Sequence, residues 1–371
     1  MSNDGHVPKA YGAQTEAEIL SQPECWAASL DWLDRNGKLN ELVRGFAGID
    51  EWVFIGCGSS YYVALSAAST MASLTGLRAY ALPASEVLLF PSQFRSSKTI
   101  AAVLISRSGR TSEILRVAEQ LSKRGIATVG ISCTPGQALE KLVRSALVLS
   151  VADEQSTVMT RSFTSMLITL QALAASIGKN NDFKLAQRGI VPAAQEILST
   201  LPARVRDFVR SNVFDDYVFL AQGTLYGIAC ESALKLTEMS ISYAQNFHAL
   251  EFRHGPKSIV SQKTLIGCLL SETAYTDELS VLEEVKRLGG TTLVVVNRAD
   301  ERARAAADLL VELKADAPEI ARAPLYLLPG QLMGLHTGLE KGFDPDAPRN
   351  LSRVVVLDDE DPREEITHAA L

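Results

Sequence analysis

The sequence predicts an α/β protein of two tandem three-layer α/β/α domains, each on a parallel sheet, and three observations lead there. The first is an internal repeat, EWVFIGCGSSYYVALSAAS against DYVFLAQGTLYGIACESALK. Placing Glu51 over Asp216 also matches Val53 with Val218, Phe54 with Phe219, Gly58 with Gly223 and Tyr61 with Tyr226. Far downstream the register still carries Glu86 onto Glu251, Lys98 onto Lys263, Leu104 onto Leu269, Ser106 onto Ser271 and Thr111 onto Thr276. The second observation is alternation. Short apolar runs (WVFI, LRAYAL, TIAAVLIS, ATVGIS, ALVLSV) alternate with helical periods, which implies a parallel sheet covered on both faces. In TSEILRVAEQLSKRG, Ile114, Leu115, Val117, Ala118 and Leu121 make one apolar stripe, and Gly125 supplies a stop. The third is size: 371 residues at 47% hydrophobic exceed one typical core and suit two.

These signals divide the chain into a helical arm at 1–46, a first domain at 47–205, a second at 206–345 and a tail at 346–371. The acidic end, DDEDPREE, reads as a solvated tail. A net charge of −7 argues against nucleic acid as a partner. No charged-then-apolar leader opens the sequence and no run of 18 apolar residues occurs, so a cytoplasmic protein without a membrane span is expected. Five scattered cysteines read as buried thiols of a reducing compartment. Five histidines without ligand spacing predict no metal.

Two strand ends carry anion-binding chemistry. Gly56-Cys57-Gly58-Ser59-Ser60 follows the first strand, and Ser106-Arg107-Ser108-Gly109-Arg110-Thr111 follows TIAAVLI. Glycines let the backbone approach an anion, hydroxyls donate to its oxygens, and the helix starting at Thr111 adds a partial positive charge. Capping and turn residues would have the same composition. A dinucleotide fits poorly: Tyr61 replaces the third glycine of that fingerprint, and no carboxylate waits around Arg78-Ala79-Tyr80-Ala81 for a ribose. No cofactor is therefore expected. In the second copy SRSGRTSE becomes SETAYTDE, where Glu272 and Asp277 would repel a phosphate.

The second copy has its own peculiarity. The stretch GIACESALKLTEMSISYA is apolar nearly all round, yet carries Glu231, Lys235 and Glu238 on one helical face. Unpaired charge is costly to bury, so these groups are expected to face a polar cavity; a solvated ion pair on an exposed edge is the alternative. Beyond them comes HALEFRHGPK, where His254, ahead of a Gly-Pro turn, is a candidate proton shuttle or a structural residue. His248 reads as structural.

At these residues the chain resembles the sugar isomerase (SIS) family, specifically its tandem-domain members. GCGSS, SRSGRT, ESALKLTE, RHGP and PRNLSR are similar to the isomerase module of glucosamine-6-phosphate synthase. The resemblance implies SIS-type domains in which Ser59, Ser60, Ser106, Arg107, Ser108 and Thr111 hold a phosphate. Glu238 would move a proton between carbons 1 and 2, and His254, from the partner subunit of a homodimer, would assist ring opening. Glu231 and Lys235 would line the same pocket, with Gly58, Thr157, Val158 and Arg353 at the sugar.

Two departures are expected to separate this chain from a synthase. The arm leaves no room for a glutaminase domain, and Arg353 stands where the synthase has a lysine, whose chemistry arginine cannot supply. TEAEILSQPECW, VMTRSFT and FRHGPKS are instead similar to galactosamine-6-phosphate deaminase/tagatose-6-phosphate isomerase proteins. The implied substrate is a small-molecule sugar phosphate, and the implied reaction is deamination or isomerisation of an (amino)hexose 6-phosphate. A fructosamine-6-phosphate deglycase and a non-catalytic sugar-phosphate sensor are the alternatives.

Overall fold

The computed structural model describes residues 11–92 and 99–357. Lys98 and the acidic end at 358–365 lie outside the described residues. The arm is three helices, α1 (Ala13–Leu20), α2 (Gln22–Asn36) and α3 (Lys38–Gly45). The first copy follows as β1 (Glu51–Gly56), α4 (Ser59–Thr75), β2 (Arg78–Pro83), α5 (Ala84–Leu89), β3 (Ile100–Ile105), α6 (Ser112–Lys123), β4 (Ala127–Ser132), α7 (Ala138–Leu142) and β5 (Ser145–Val148). Helices α8 (Arg161–Ile177), α9 (Asn181–Gln187) and α10 (Ile190–Arg210) lead to the second copy. That copy runs β6 (Asp216–Ala221), α11 (Tyr226–Ser240), β7 (Ala244–His248), β8 (Thr264–Leu269), α12 (Tyr275–Arg287), β9 (Thr291–Val296), α13 (Glu301–Ala305), β10 (Leu309–Glu312) and α14 (Ala323–Glu340).

Both sheets are parallel, ordered β2-β1-β3-β4-β5 and β7-β6-β8-β9-β10, so each copy repeats one topology. In this order the chain reverses direction between the first and third strands of a copy, and the carboxyl ends there flank a crevice. Strand periodicity sorts the core into layers. Val53, Ile55 and Leu104 face outward onto Ile114, Val117 and Leu121 of α6, while Val218, Leu220 and Ile266 face Leu279 and Leu282 of α12. The alternate residues, Phe54 and Val103 in one sheet and Phe219 and Leu265 in the other, share one inner core with α4, α8, α11 and α14. The two copies are therefore fused through a common layer.

The stretch after Glu238 departs from the sequence expectation. Read as one helix to Ala244, it breaks at Ser240 because Ile241 adopts a left-handed conformation (φ 49°), and Ala244 begins the edge strand β7. Helix α14 packs on α11 through Gly330, Gly334 and Gly338. A Cβ on Gly334 would stand 2.7 Å from the Lys235 carbonyl oxygen, and one on Gly338 2.3 Å from that of Met239. Gly334→Val is therefore expected to destabilise the fold by about 3 kcal/mol in urea unfolding. Gly45→Ala, where an added methyl meets nothing within 4 Å, should be neutral or stabilising by about 0.5 kcal/mol.

Candidate functional site

The two hydroxyl-rich turns sit at the carboxyl ends of the neighbouring strands β1 and β3. Gly56 is required at the first: a Cβ there would lie 2.4 Å from the Ser60 backbone where α4 begins. In the second turn Ser106 Oγ and Thr111 Oγ1 lie 2.9 Å apart, Arg110 N–H donates to Ser108 Oγ, and Gly109 turns with φ 63°. The N–H groups of Arg107 and Ser108, both on residues less than a tenth exposed, donate to no protein acceptor among the described residues.

The second copy shows what such a turn binds. In the shared register Glu272 and Thr273 stand where the first copy has Arg107 and Ser108. Their N–H groups donate to Glu319 Oε2 (2.5 and 3.0 Å), and Thr273 Oγ1 donates to Glu319 Oε1 (3.3 Å). Glu272 itself pairs with Arg322 at 2.6 Å. Repulsion by Glu272 and Asp277, the reason expected from the sequence, is thus not what distinguishes this turn. It already holds a carboxylate from its own chain.

The charged face of α11 meets the first copy directly. Ser59 Oγ donates to Glu231 Oε1 at 3.0 Å, and Lys235 Nζ lies 3.1 Å from the same oxygen and 2.5 Å from Glu238 Oε2. Glu231 and Lys235 are fully buried, and only Glu238 retains exposure, 18% of its side chain. The expectation that all three face a polar cavity is therefore corrected: two of the charges compensate each other in the shared inner layer. Glu238 alone reaches open space, lining a 170 Å³ cavity with Met239, Phe343, Asp344, Pro348 and Arg349. Burial pushes the Glu231 carboxyl up to about 7, with Lys235 opposing and Glu238 adding to the rise. Burial works against the Lys235 charge, but Glu231 and Glu238 outweigh it and hold the ammonium above its ordinary range.

The SIS domain pattern matches residues 46–176 and 215–339, more than half of the sequence. The chain belongs to the SIS domain family. A glucosamine-6-phosphate deaminase from Thermotoga maritima is 29% identical, with a TM-score of 0.75 over 93% of this chain and 100% of that one. A tagatose-6-phosphate ketose/aldose isomerase from Escherichia coli has the same fold, with a TM-score of 0.83 at 23% identity over 94% of this chain and 97% of that one. Among curated relatives, a glutamine–fructose-6-phosphate aminotransferase (isomerizing) of Chlamydia muridarum is 26% identical over 92% of this chain. The alignment covers 58% of that relative's length, under two thirds of it.

Within this SIS chain the expected residues separate into groups. Ser59, Ser60, Gly58, Ser106, Ser108 and Thr111 lie together around the β1 and β3 ends. The Arg107 side chain does not turn toward them, contrary to expectation. Its guanidinium is buried against Glu154 (3.4 Å) and donates to the carbonyls of Ser156, Thr157, Val158 and Arg353, because only that cluster of acceptors can satisfy so many donors away from water. Arg107 thereby hangs the loop of Thr157 and Val158 beside the turn, leaving their N–H groups without protein acceptors among the described residues. Arg353 pairs with Asp153 at 2.7 Å, and the backbone just beyond it crosses the start of α6, where Leu357 N–H donates to Ser112 Oγ. His254 is exposed on the second copy and its imidazole has no hydrogen-bonding partner among the described residues. The His248 ring stacks on Tyr226 at 3.7 Å.

Three carboxylates were missed. Glu154 accepts from Thr160 and Ser162 as well as Arg107, and Glu319 fills the second turn. Neither has a sequence signal of its own. Glu18 had one: it shares a buried face of α1 with Thr15 and Ile19.

The raised Glu231 group sets a pH dependence of stability. A carboxyl near 7 in the folded chain, against an ordinary 4.5, holds its proton more tightly when folded. Its contribution is complete below pH 4.5 and is lost as pH rises to about 7. Between those limits wild type should lose about 3 kcal/mol more stability than Glu231→Gln, read from urea unfolding at both pH values.

Proposed function

We propose that this SIS protein is a phosphosugar isomerase that deaminates an amino-hexose 6-phosphate to the ketose 6-phosphate and ammonia. The observation that carries the reading is the contrast between the two copies. One turn binds a carboxylate of its own chain, while the equivalent N–H groups in the other are left for an anion supplied from outside, one Ser59 contact away from the Glu231–Lys235–Glu238 face. The likeness to a glucosamine-6-phosphate deaminase along nearly the whole chain supports the same substrate class.

In this reading Ser59, Ser60, Ser106, Ser108 and Thr111, with the Arg107 and Ser108 amides, hold the phosphate, and the Gly58 turn and the Thr157 and Val158 amides face the sugar. Glu238 takes the carbon-2 proton of the open-chain amino sugar and returns it to carbon 1, while the carbon-1 oxygen gains a proton and the nitrogen gives one up, leaving a 2-imine with a carbon-1 hydroxyl. Water then adds to the imine at carbon 2, and ammonia leaves. Lys235 pairs with Glu238 and fixes where this base stands, and Glu231 holds Lys235. His254 of the partner subunit of a homodimer opens the ring, which accounts for an exposed histidine unemployed in its own chain. Arg353, paired to Asp153, has no free amine with which to do the work of the synthase lysine.

A panel of hexosamine and ketose 6-phosphates, followed by ammonia release and carbon-1 deuterium exchange, tests the reading. Steady ammonia from an amino sugar is expected. Exchange without ammonia would leave a plain aldose–ketose isomerase, and ligand binding without either would leave a sensor. Glu238→Gln should lower kcat by about 10³-fold while inorganic phosphate still binds. Ser106→Ala should instead raise KM by about tenfold, measured in the same assay.

A further inference from the structure

Helix α1 of the arm carries a carboxylate with an unusual set of partners. Glu18 is 1% exposed, and among the described residues no lysine or arginine pairs with it. Its Oε1 accepts from the N–H groups of Gln155 (2.6 Å) and Ser156 (3.4 Å), and Oε2 accepts from the Ser156 N–H (3.4 Å) and hydroxyl. Gln14 Nε2 adds a fourth donor at 3.3 Å. A buried carboxyl without a cation is accommodated only when hydrogen-bond donors surround it, and three of these four come from two consecutive loop residues.

That loop is held from its other side as well. Arg107 takes the carbonyls of Ser156, Thr157 and Val158, so the segment is clamped between Glu18 on the arm and Arg107 in the anion-binding turn. With carbonyls and one amide face committed, the Thr157 and Val158 N–H groups have a fixed direction. The opposite end of α1 is tied near Glu238. Asp346 accepts from the N–H groups of Gln14 (3.1 Å) and Thr15 (2.8 Å) and from the Thr15 hydroxyl, and Asp344, which lines the Glu238 cavity, accepts from Gly12 N–H at 2.9 Å.

We infer that Glu18 is a positioning residue: its carboxylate sets the loop Gln155–Val158 so that the Thr157 and Val158 amides meet the bound sugar phosphate, with α1 bracing that loop against the segment beside Glu238. The inference deepens the proposed function and rests on its assignment of the site.

Glu18→Gln tests it, because the amide keeps size and one acceptor but presents an NH₂ to donors. Three quantities are measured: hydrogen–deuterium exchange across the chain, affinity for inorganic phosphate, and KM and kcat on whichever sugar phosphate wild type converts. Exchange at 155–158 should rise about tenfold with the rest of the chain unchanged, and KM should rise about tenfold with kcat within about threefold. Ser156→Ala, which removes a single donor, should shift the same quantities in the same direction by less. Unchanged exchange at 155–158, exchange rising along the whole chain, or a fall in kcat at constant KM would each overturn the inference. If wild type converts no sugar phosphate, the proposed function fails. Exchange and phosphate affinity then still decide the role of Glu18: weaker phosphate binding together with a loosened 155–158 supports it, and wild-type values refute it.

Discussion

Lys235 has no exposed surface, and an ammonium can remain there only with carboxylates in contact. Glu231, four residues before it, and Glu238, three residues after it, supply them from the same helix, and Ser59 of the other copy fastens the first of the two. Loss of both carboxylates would strand the ammonium, so rotating or sliding the helix away from this pairing is costly. The α14 glycines impose the same restriction from the opposite side, since their bare backbones leave no room for an alternative packing. Helix α11 is thereby tied to the β1 turn through Ser59 and Glu231.

Duplication explains how such a site arises. Both copies provide a turn at the end of their third strand and a helix after their first. The first copy retains free amides in its turn but has Ser66 where the second has Glu231. The second retains the charged helix and has closed its turn with Glu319. Each half has what the other lacks, and the shared core joins the two.

The fold was legible because it depends on local periodicity. The first four predicted first-copy strands end within one residue of observed ones, ALVLSV overruns β5 by three residues, and the register Glu51 over Asp216 reappears as matching strand orders. The hydroxyls and glycines of the turns were legible for the same reason, as short motifs with a backbone role. Arg107 was misread because its long side chain answers to acceptors fifty residues away, which no local pattern reports. The burial of Glu231 and Lys235 was misread because pairing, not polarity of the surroundings, solves the problem of their charge. Glu154 and Glu319 were invisible for a related reason: a carboxylate bound by backbone amides leaves its signature in three dimensions only.

The Glu319 contact also fixes how the second copy responds to its surroundings. A ligand on the same chain acts at an effective concentration that free anions do not reach in solution. Glu319 therefore occupies that turn ahead of a solute anion, and places a negative charge near the start of α12.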